Sequence, residues 1–400
     1  MKKNTCSIIG LLVLGMLVFS CAEKKKEKKG LTLDDCPVVA HQVYLNGDTL
    51  TVCDFASVKD TFNIPLSPFL SSFEIIRLEN TDAALTADDG VITVSDNYIG
   101  VYSFKAGAYK LYNKEGKYLC TISAPGQGPD EYVLGLYDSY IDEKNGKIYL
   151  LSFRASKILV FDLEGKALQH IPLAYLTHKG RFIIHPETET LTMMALPFID
   201  TPSAVWVQDF KGNIIQEIPA GQFVIEPGDY SNEIWESLNT ANLDFSILRW
   251  VDSKDTLYHY LQEENRLQPS FTFDFKNEPI RHNYIELADY YLTWMITQTA
   301  WWGEMPRFPK ILIDKKTLRG CYVDIKWNML GNIDGPNKLS FSRGYFTANM
   351  EPYKLKEQLK KVLSQPDKLS TEMRQKLKDL NNSIAEDGNN ILFIGKLKTK

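Results

Sequence analysis

The six histidines and six cysteines of this 400-residue sequence are its scarcest groups with metal-binding or nucleophilic chemistry, and their spacing decides what they can do. Zinc sites bring paired ligands within a few residues of one another, and no two cysteines here lie that close. His178 and His185 stand seven positions apart across Gly180-Arg181-Phe182-Ile183-Ile184, too loosely for a ligand pair, and read as surface or internally satisfied imidazoles. There is no Gly-x-Ser-x-Gly elbow, no His-Glu-x-x-His and no EF-hand loop. Gly126-Gln127-Gly128-Pro129-Asp130-Glu131-Tyr132 has glycines whose amides suit an anion, yet no Lys-Ser/Thr at a helix start follows, so it reads as a connector. Asp142-Glu143-Lys144-Asn145-Gly146 is acidic but lies between two strand-like runs and reads as a hairpin turn. No catalytic residues, metal or cofactor are expected.

Cys21 is the cysteine with a definite chemistry. Lys2 and Lys3 precede an apolar stretch, Ile8 to Phe19, that is too short to span a bilayer comfortably, as in a signal peptide over residues 1–20. Its end, Leu17-Val18-Phe19-Ser20-Cys21, puts a small residue just before a cysteine and resembles the bacterial lipobox. That resemblance implies cleavage before Cys21, a diacylglyceryl group on its thiol and an acyl chain on its amine. Each buried methylene contributes about 0.8 kcal/mol, so two or three chains hold firmly where one holds reversibly. The resemblance therefore implies a lipid-anchored protein of the cell envelope. Ala22 stands where an Asp directs inner-membrane retention in some bacteria, which favours the outer membrane. Residues 21–30 include Lys24-Lys25-Lys26-Glu27-Lys28-Lys29, a solvated tether whose charge also attracts anionic headgroups. Without the first twenty residues the chain carries 43 basic and 50 acidic side chains, a net charge of −7, and nothing suggests nucleic acid as a partner.

Four cysteines then remain, Cys36, Cys53, Cys120 and Cys321, an even number in a compartment that permits disulfides. Cys36 and Cys53, close in sequence, are a candidate disulfide; buried free thiols are the alternative. Tyr290, Tyr291, Trp294, Trp301 and Trp302 form an aromatic stretch outside any repeat. Such rings fill cores, or they stack on sugars and peptides when exposed. Trp301 and Trp302, beside Gly303, are the candidate ligand-binding residues.

The elements that must position these groups are mostly strands. Residues 31–72 hold a hairpin around Asn46-Gly47, a dipeptide suited to the positive φ of a tight turn. Beyond Phe73 a repeat sets in: Tyr109 to Lys117, Ile158 to Lys166 and Val205 to Asn213 are each a β-rich run closing on a Gly turn. Gly116, Gly165 and Gly212 are 49 and 47 residues apart, the period of propeller blades. Weaker copies follow at Leu257 to Asn265 and Ile311 to Lys316. With the C-terminal strand Ile391 to Ile394 they make six blades, the strand-like Phe73 to Leu78 completing the last one. Leu355, Leu359, Val362, Leu363, then Met373, Leu377 and Leu380 predict two amphipathic helices within 352–382, inserted ahead of that final strand.

The Gly126 to Tyr132 connector, the Tyr-Asn-Lys-Glu-Gly-type hairpins, Gly344-Tyr345-Phe346 and the ending Glu386 to Leu397 together resemble six-bladed β-propeller lipoproteins, relatives of NHL-repeat and TolB-like propellers in gram-negative anaerobes. The expectation is an all-β propeller over residues 73–400. The resemblance, with no catalytic set in view, implies a binding or scaffold protein for a protein, peptide or glycan partner. The alternative is a propeller hydrolase, lactonase or lyase, whose Asp, Glu, Asn or His ligands would converge on the central channel from several blades.

Overall fold

A computed structural model describes residues 33–225, 230–248, 255–276, 280–296, 309–336 and 339–399. The expected signal peptide, Cys21, the expected tether, Trp301 and Trp302 lie outside the described residues. The first described strands are β1 (Ala40–Leu45) and β2 (Asp48–Asp54), joined where Asn46 and Gly47 take φ of 51° and 93°, then β3 (Thr61–Pro65) and β4 (Glu74–Arg77). Six antiparallel blades follow. They are β5 (Val91–Val94) to β8 (Tyr118–Ser123) through β6 (Tyr98–Tyr102) and β7 (Tyr109–Asn113); and β9 (Leu136–Asp142), β10 (Lys147–Ser152), β11 (Ala155–Asp162) and β12 (Ile171–Thr177). Blade 3 is β13 (Gly180–His185), β14 (Thr190–Ala195), β15 (Ser203–Asp209) and β16 (Ile214–Pro219). Blade 4 is β17 (Glu233–Trp235), β18 (Asp244–Leu248), β19 (Leu257–Leu261) and β20 (Arg266–Asp274). Blade 5 is β21 (Arg281–Glu286), β22 (Tyr290–Ile296), β23 (Lys310–Asp314) and β24 (Gly320–Trp327), with a short β25 (Ile333–Asp334) on its edge. Blade 6 is β26 (Leu339–Ser342), β27 (Tyr345–Met350) and β28 (Ile391–Lys396).

The ring closes as the two unpartnered strand-like runs predict. Strand β28 pairs antiparallel with β4, Leu392 opposite Ile76, so the N-terminal strand becomes the outermost strand of the last blade. The helices α1 (Pro352–Leu363) and α2 (Thr371–Ser383) lie between β27 and β28 and bury Leu355, Leu359 and Leu377, the expected seam. The N-terminal hairpin is not a free appendage. Strand β2 pairs in parallel with β20 on the edge of blade 4, and β3 pairs in parallel with β24 on the edge of blade 5. The chain thus runs as a belt over the outer edges of blades 4, 5 and 6, covering backbone groups that would otherwise be unpaired.

Aromatic and branched side chains from neighbouring blades fill the wedges between them. Trp206, Phe182 and Tyr149 bury together between blades 2 and 3, and Tyr291 stacks on Phe271 at 4.3 Å between blades 4 and 5. Of the aromatic stretch, Tyr291 is therefore core, and Tyr290 packs on Phe69. The connector from Gly126 to Tyr132 joins β8 to β9, its Gly128 amide donating to Glu131 at 2.8 Å. Because each blade runs antiparallel from inner to outer strand, connections alternate between two faces. Turns such as those at Gly116, Gly165 and Gly212, with φ of 85°, 83° and 90°, emerge on one face. The links between blades, the links between second and third strands, and both helices emerge on the other, called here the loop face.

A candidate binding site on the loop face

The innermost strands bring polar side chains to the axis, where charge must be paired to be tolerated. Arg343, in the turn after β26, reaches Asp138 on β9 at 2.8 Å and the Phe182 carbonyl at 2.9 Å, and approaches Glu236 at 3.9 Å. Arg181 on β13 meets Glu236 at 2.9 Å and donates to the Tyr137 carbonyl. The second oxygen system of Asp138 is held by the Ser139 amide, and its Oδ2 also receives the Phe182 amide. Burial pushes the Glu236 carboxyl above its ordinary range, against the pull of Arg181 and Arg343. The result is a charge network that ties blades 2, 3, 4 and 6 together across the axis.

Nearer the loop face, Lys179 sits in the two-residue link between β12 and β13. Its buried ammonium donates to the Tyr230 and Asn232 carbonyls at 2.8 Å each and pairs with Glu233 at 2.5 Å. It also lies 5.7 Å from the Tyr137 ring, whose hydroxyl donates to Glu233 at 3.3 Å. Burial, then the Glu233 charge, pushes the Tyr137 hydroxyl up. Beside it, four links contribute rings: Phe153, His178, Phe198 and Tyr230, with His178 to Phe198 at 4.9 Å and Phe198 to Tyr230 at 5.0 Å. Asp200 holds His178 Nε2 at 2.9 Å, while His178 Nδ1 is buried with no hydrogen-bond partner. Phe198 and His178 are buried, and Tyr230 and Asp200 are about half exposed, so the cluster shows the solvent the Tyr230 ring with the Asp200 carboxylate near it.

Of the two faces, the loop face carries the exposed apolar side chains. Among the described residues, the large hydrophobic side chains that are exposed include Leu85, Phe104, Val133, Leu134, Ile199, Val224, Tyr230 and Tyr353, all on the loop face, with Ile199 at 75% and Val133 at 73%. The others lie on outer strands or the N-terminal belt, apart from Val91 at the loop-face end of β5, and none lies in the turns of the opposite face.

Two buried imidazoles belong to the scaffold. His259 holds Glu286 at 2.6 Å with Lys315 on its other oxygen at 2.6 Å; although burial opposes it, these partners keep Glu286 below the ordinary carboxylate range. His282 and Tyr284 share Asp255 Oδ1 at 2.8 Å each, fully enclosed. His185 bonds Thr192 at 3.0 Å, so His178 and His185, on different partners, form no ligand pair. No group of three or more His, Cys, Asp or Glu side chains among the described residues is placed to hold a metal. Cys36, Cys53, Cys120 and Cys321 are free thiols, and the candidate pair Cys36 and Cys53 is unbonded. Cys53 on β2 faces Ala40 and Phe273, whereas Cys36 lies against Cys321 at the edge of blade 5. Tyr137, Phe153, Lys179, Phe198, Tyr230 and Glu233 carry no motif. Their only signal in sequence is position, each in or next to a link that the fifty-residue repeat sends to one face.

The family profile of DUF4934, described as a domain of unknown function, matches residues 50–396, from within β2 to the end of β28. The chain belongs to the DUF4934 family. The match ends with the strand that closes the ring, so the DUF4934 domain here is the propeller with its two-helix insertion. No curated protein matches this DUF4934 chain. Among solved structures, a Bacteroides fragilis protein described as exported shares the fold at a TM-score of 0.55 and 16% identity, over 85% of this chain and 99% of that one. A DUF4221 member from Bacteroides vulgatus scores 0.41 at 11% identity, covering 83% of this chain and 98% of its own. Apo AztD from Citrobacter koseri scores 0.37 at 10% identity, over 69% and 78%.

Proposed function

We propose that this DUF4934 propeller is a lipid-anchored protein of the cell envelope, held through Cys21, whose loop face binds a protein or peptide partner. The observation that carries this reading is the one-sided distribution of exposed apolar side chains around the aromatic cluster of Phe153, His178, Phe198 and Tyr230. Half-exposed Asp200 beside those rings suits a partner that offers a basic group next to an apolar one. Trp301 and Trp302, outside the described residues, extend the proposal: the chain leaves β22 at Ile296 and returns at Lys310, both at the loop-face end of their strands. A channel hydrolase, lactonase or lyase would need carboxylates free to move protons or hold an ion, whereas Asp138 and Glu236 are engaged by Arg343 and Arg181.

Two experiments test this reading. Purified protein is screened on peptide and glycan arrays beside Ile199→Ser and Tyr230→Ala. Peptide signals that fall at least tenfold in both variants at unchanged melting temperature support it; signals that are indifferent to both, or confined to glycans, overturn it. For the anchor, Cys21→Ser abolishes incorporation of labelled palmitate; label retained by the variant contradicts the lipid assignment.

A further inference from the structure

We propose that Cys36 and Cys321 form a cross-strand disulfide that locks the start of the N-terminal belt to the outer edge of blade 5. The register of the backbone carries the argument. Val38 and Arg319 form an antiparallel bridge. The Gly320 amide donates to the Pro37 carbonyl at 3.1 Å, and the Val39 amide donates to the Leu318 carbonyl at 2.9 Å. Those bonds flank the Val38 and Arg319 pair, which exchanges none of its own. One step along each chain puts Pro37 opposite Gly320, and the next puts Cys36 opposite Cys321. The bridge is isolated and Cys36 lies in the bend before it, its amide donating to the Leu33 carbonyl at 3.0 Å; the same register continued two positions sets the cysteines at a place without mutual hydrogen bonds, the class in which Cα atoms approach to about 4.5 Å. That distance lies within the range a disulfide spans, roughly 4.4–6.8 Å between Cα atoms. Arg319 reinforces the approach by donating from its guanidinium to the Cys36 carbonyl. The thiol of Cys36 is the side-chain partner of the Cys321 thiol, and both residues are buried.

The bond forms by thiol–disulfide exchange with an external disulfide such as oxidised glutathione. One cysteine thiolate attacks a sulfur of that disulfide and releases one thiol; the second thiolate then displaces the other. Two S–H bonds become one S–S bond, and the oxidant leaves as two thiols carrying the two electrons and two protons. Burial pushes the Cys321 thiol up, with Cys36 beside it as a further cause, which suppresses the thiolate that must attack. The disulfide therefore forms while the chain folds and forms slowly once the reduced protein is folded. Cys53, also buried and pushed up, faces no cysteine, and Cys120 is half-buried near the Leu163 carbonyl, so both stay free.

The consequence for the molecule rests on the proposed anchor: the lock holds the chain only a few residues beyond the tether, so a pull on the lipid is borne by blade 5 before the belt can peel. The test is independent of export. The purified chain is unfolded, reduced and refolded in a glutathione redox buffer, then alkylated, digested without reduction and analysed by mass spectrometry. The expected result is a linked pair of peptides containing Cys36 and Cys321, with Cys53 and Cys120 alkylated. The oxidised protein then melts about 3–5 °C above the reduced one, a shift lost in Cys36→Ser and in Cys321→Ser and kept in Cys53→Ser. Alkylated Cys36 and Cys321, or a Cys36 to Cys53 link, overturn the proposal. Palmitate labelling at Cys21 reports on the anchor separately, so loss of that reading leaves this result standing.

Discussion

Replacing Arg343 by Met tests whether the axial charges hold the ring together. Arg343 bonds Asp138 at 2.8 Å and the Phe182 carbonyl at 2.9 Å, and its amide donates to the Ser237 carbonyl at 2.7 Å, so blade 6 is tied to blades 2, 3 and 4 at one residue. Asp138 is buried, and without this guanidinium its charge keeps two backbone amides and the more distant charge of Arg181. Breaking one partner out of a buried pair costs about 3–5 kcal/mol, and because Arg343 is partly solvated the low end, about 3 kcal/mol, is expected. For a domain of this length the entropy of unfolding is roughly 0.8 kcal/mol per degree, so Arg343→Met melts about 4 °C lower. Calorimetry of the wild type, Arg343→Met, Asp138→Asn and the double variant separates pair from packing. The double variant loses clearly less than the sum of the two single losses, because removing the second charge removes the orphan. Additive losses, or a single variant that melts within a degree of the wild type, refute the reasoning.

Two other perturbations follow from the same structure. Deleting residues 389–400 removes β28, which leaves β4 without a partner and opens one edge of β27, so the truncated chain loses its cooperative melt; a truncated chain that melts like the full-length protein contradicts closure. Burial of Asp244 pushes its carboxyl up to about 6 from 3.8, so the folded state keeps a proton that the unfolded state has released, and stability from this group is present at low pH and lost as pH rises through that window. Wild type therefore weakens relative to Asp244→Asn by about 2 kcal/mol between pH 4.5 and 7.5 in urea unfolding; a constant difference across that range contradicts it.

The propeller is legible in the sequence because blades 1, 2 and 3 end in the same device. A strand turning through a positive-φ glycine must put glycine at a fixed place, and Gly116, Gly165 and Gly212 mark it. The closing strands are legible for the opposite reason: Phe73 to Leu78 and Ile391 to Ile394 have no local partner, so they must find each other. The belt is less legible. Parallel pairing of β2 with β20 and of β3 with β24 joins residues more than two hundred positions apart, and no local signal specifies it. The same distance hides the meeting of Cys36 with Cys321, and it makes Cys53 the natural partner on spacing alone. Site residues such as Lys179, Glu233 and Tyr230 are common types in ordinary contexts. Only the ring, by sending alternate links to one face, brings them together.

The central claim, that the loop face is the binding face, is tested most directly by site-specific photo-crosslinking in living cells. A photoreactive side chain is placed at Ile199 or Tyr230 on the loop face, and at Lys117 or Lys166 in turns of the opposite face. Discrete crosslinked protein bands are expected from the first pair and none from the second. Equal crosslinking from both faces, or bands only from Lys117 and Lys166, would contradict that claim.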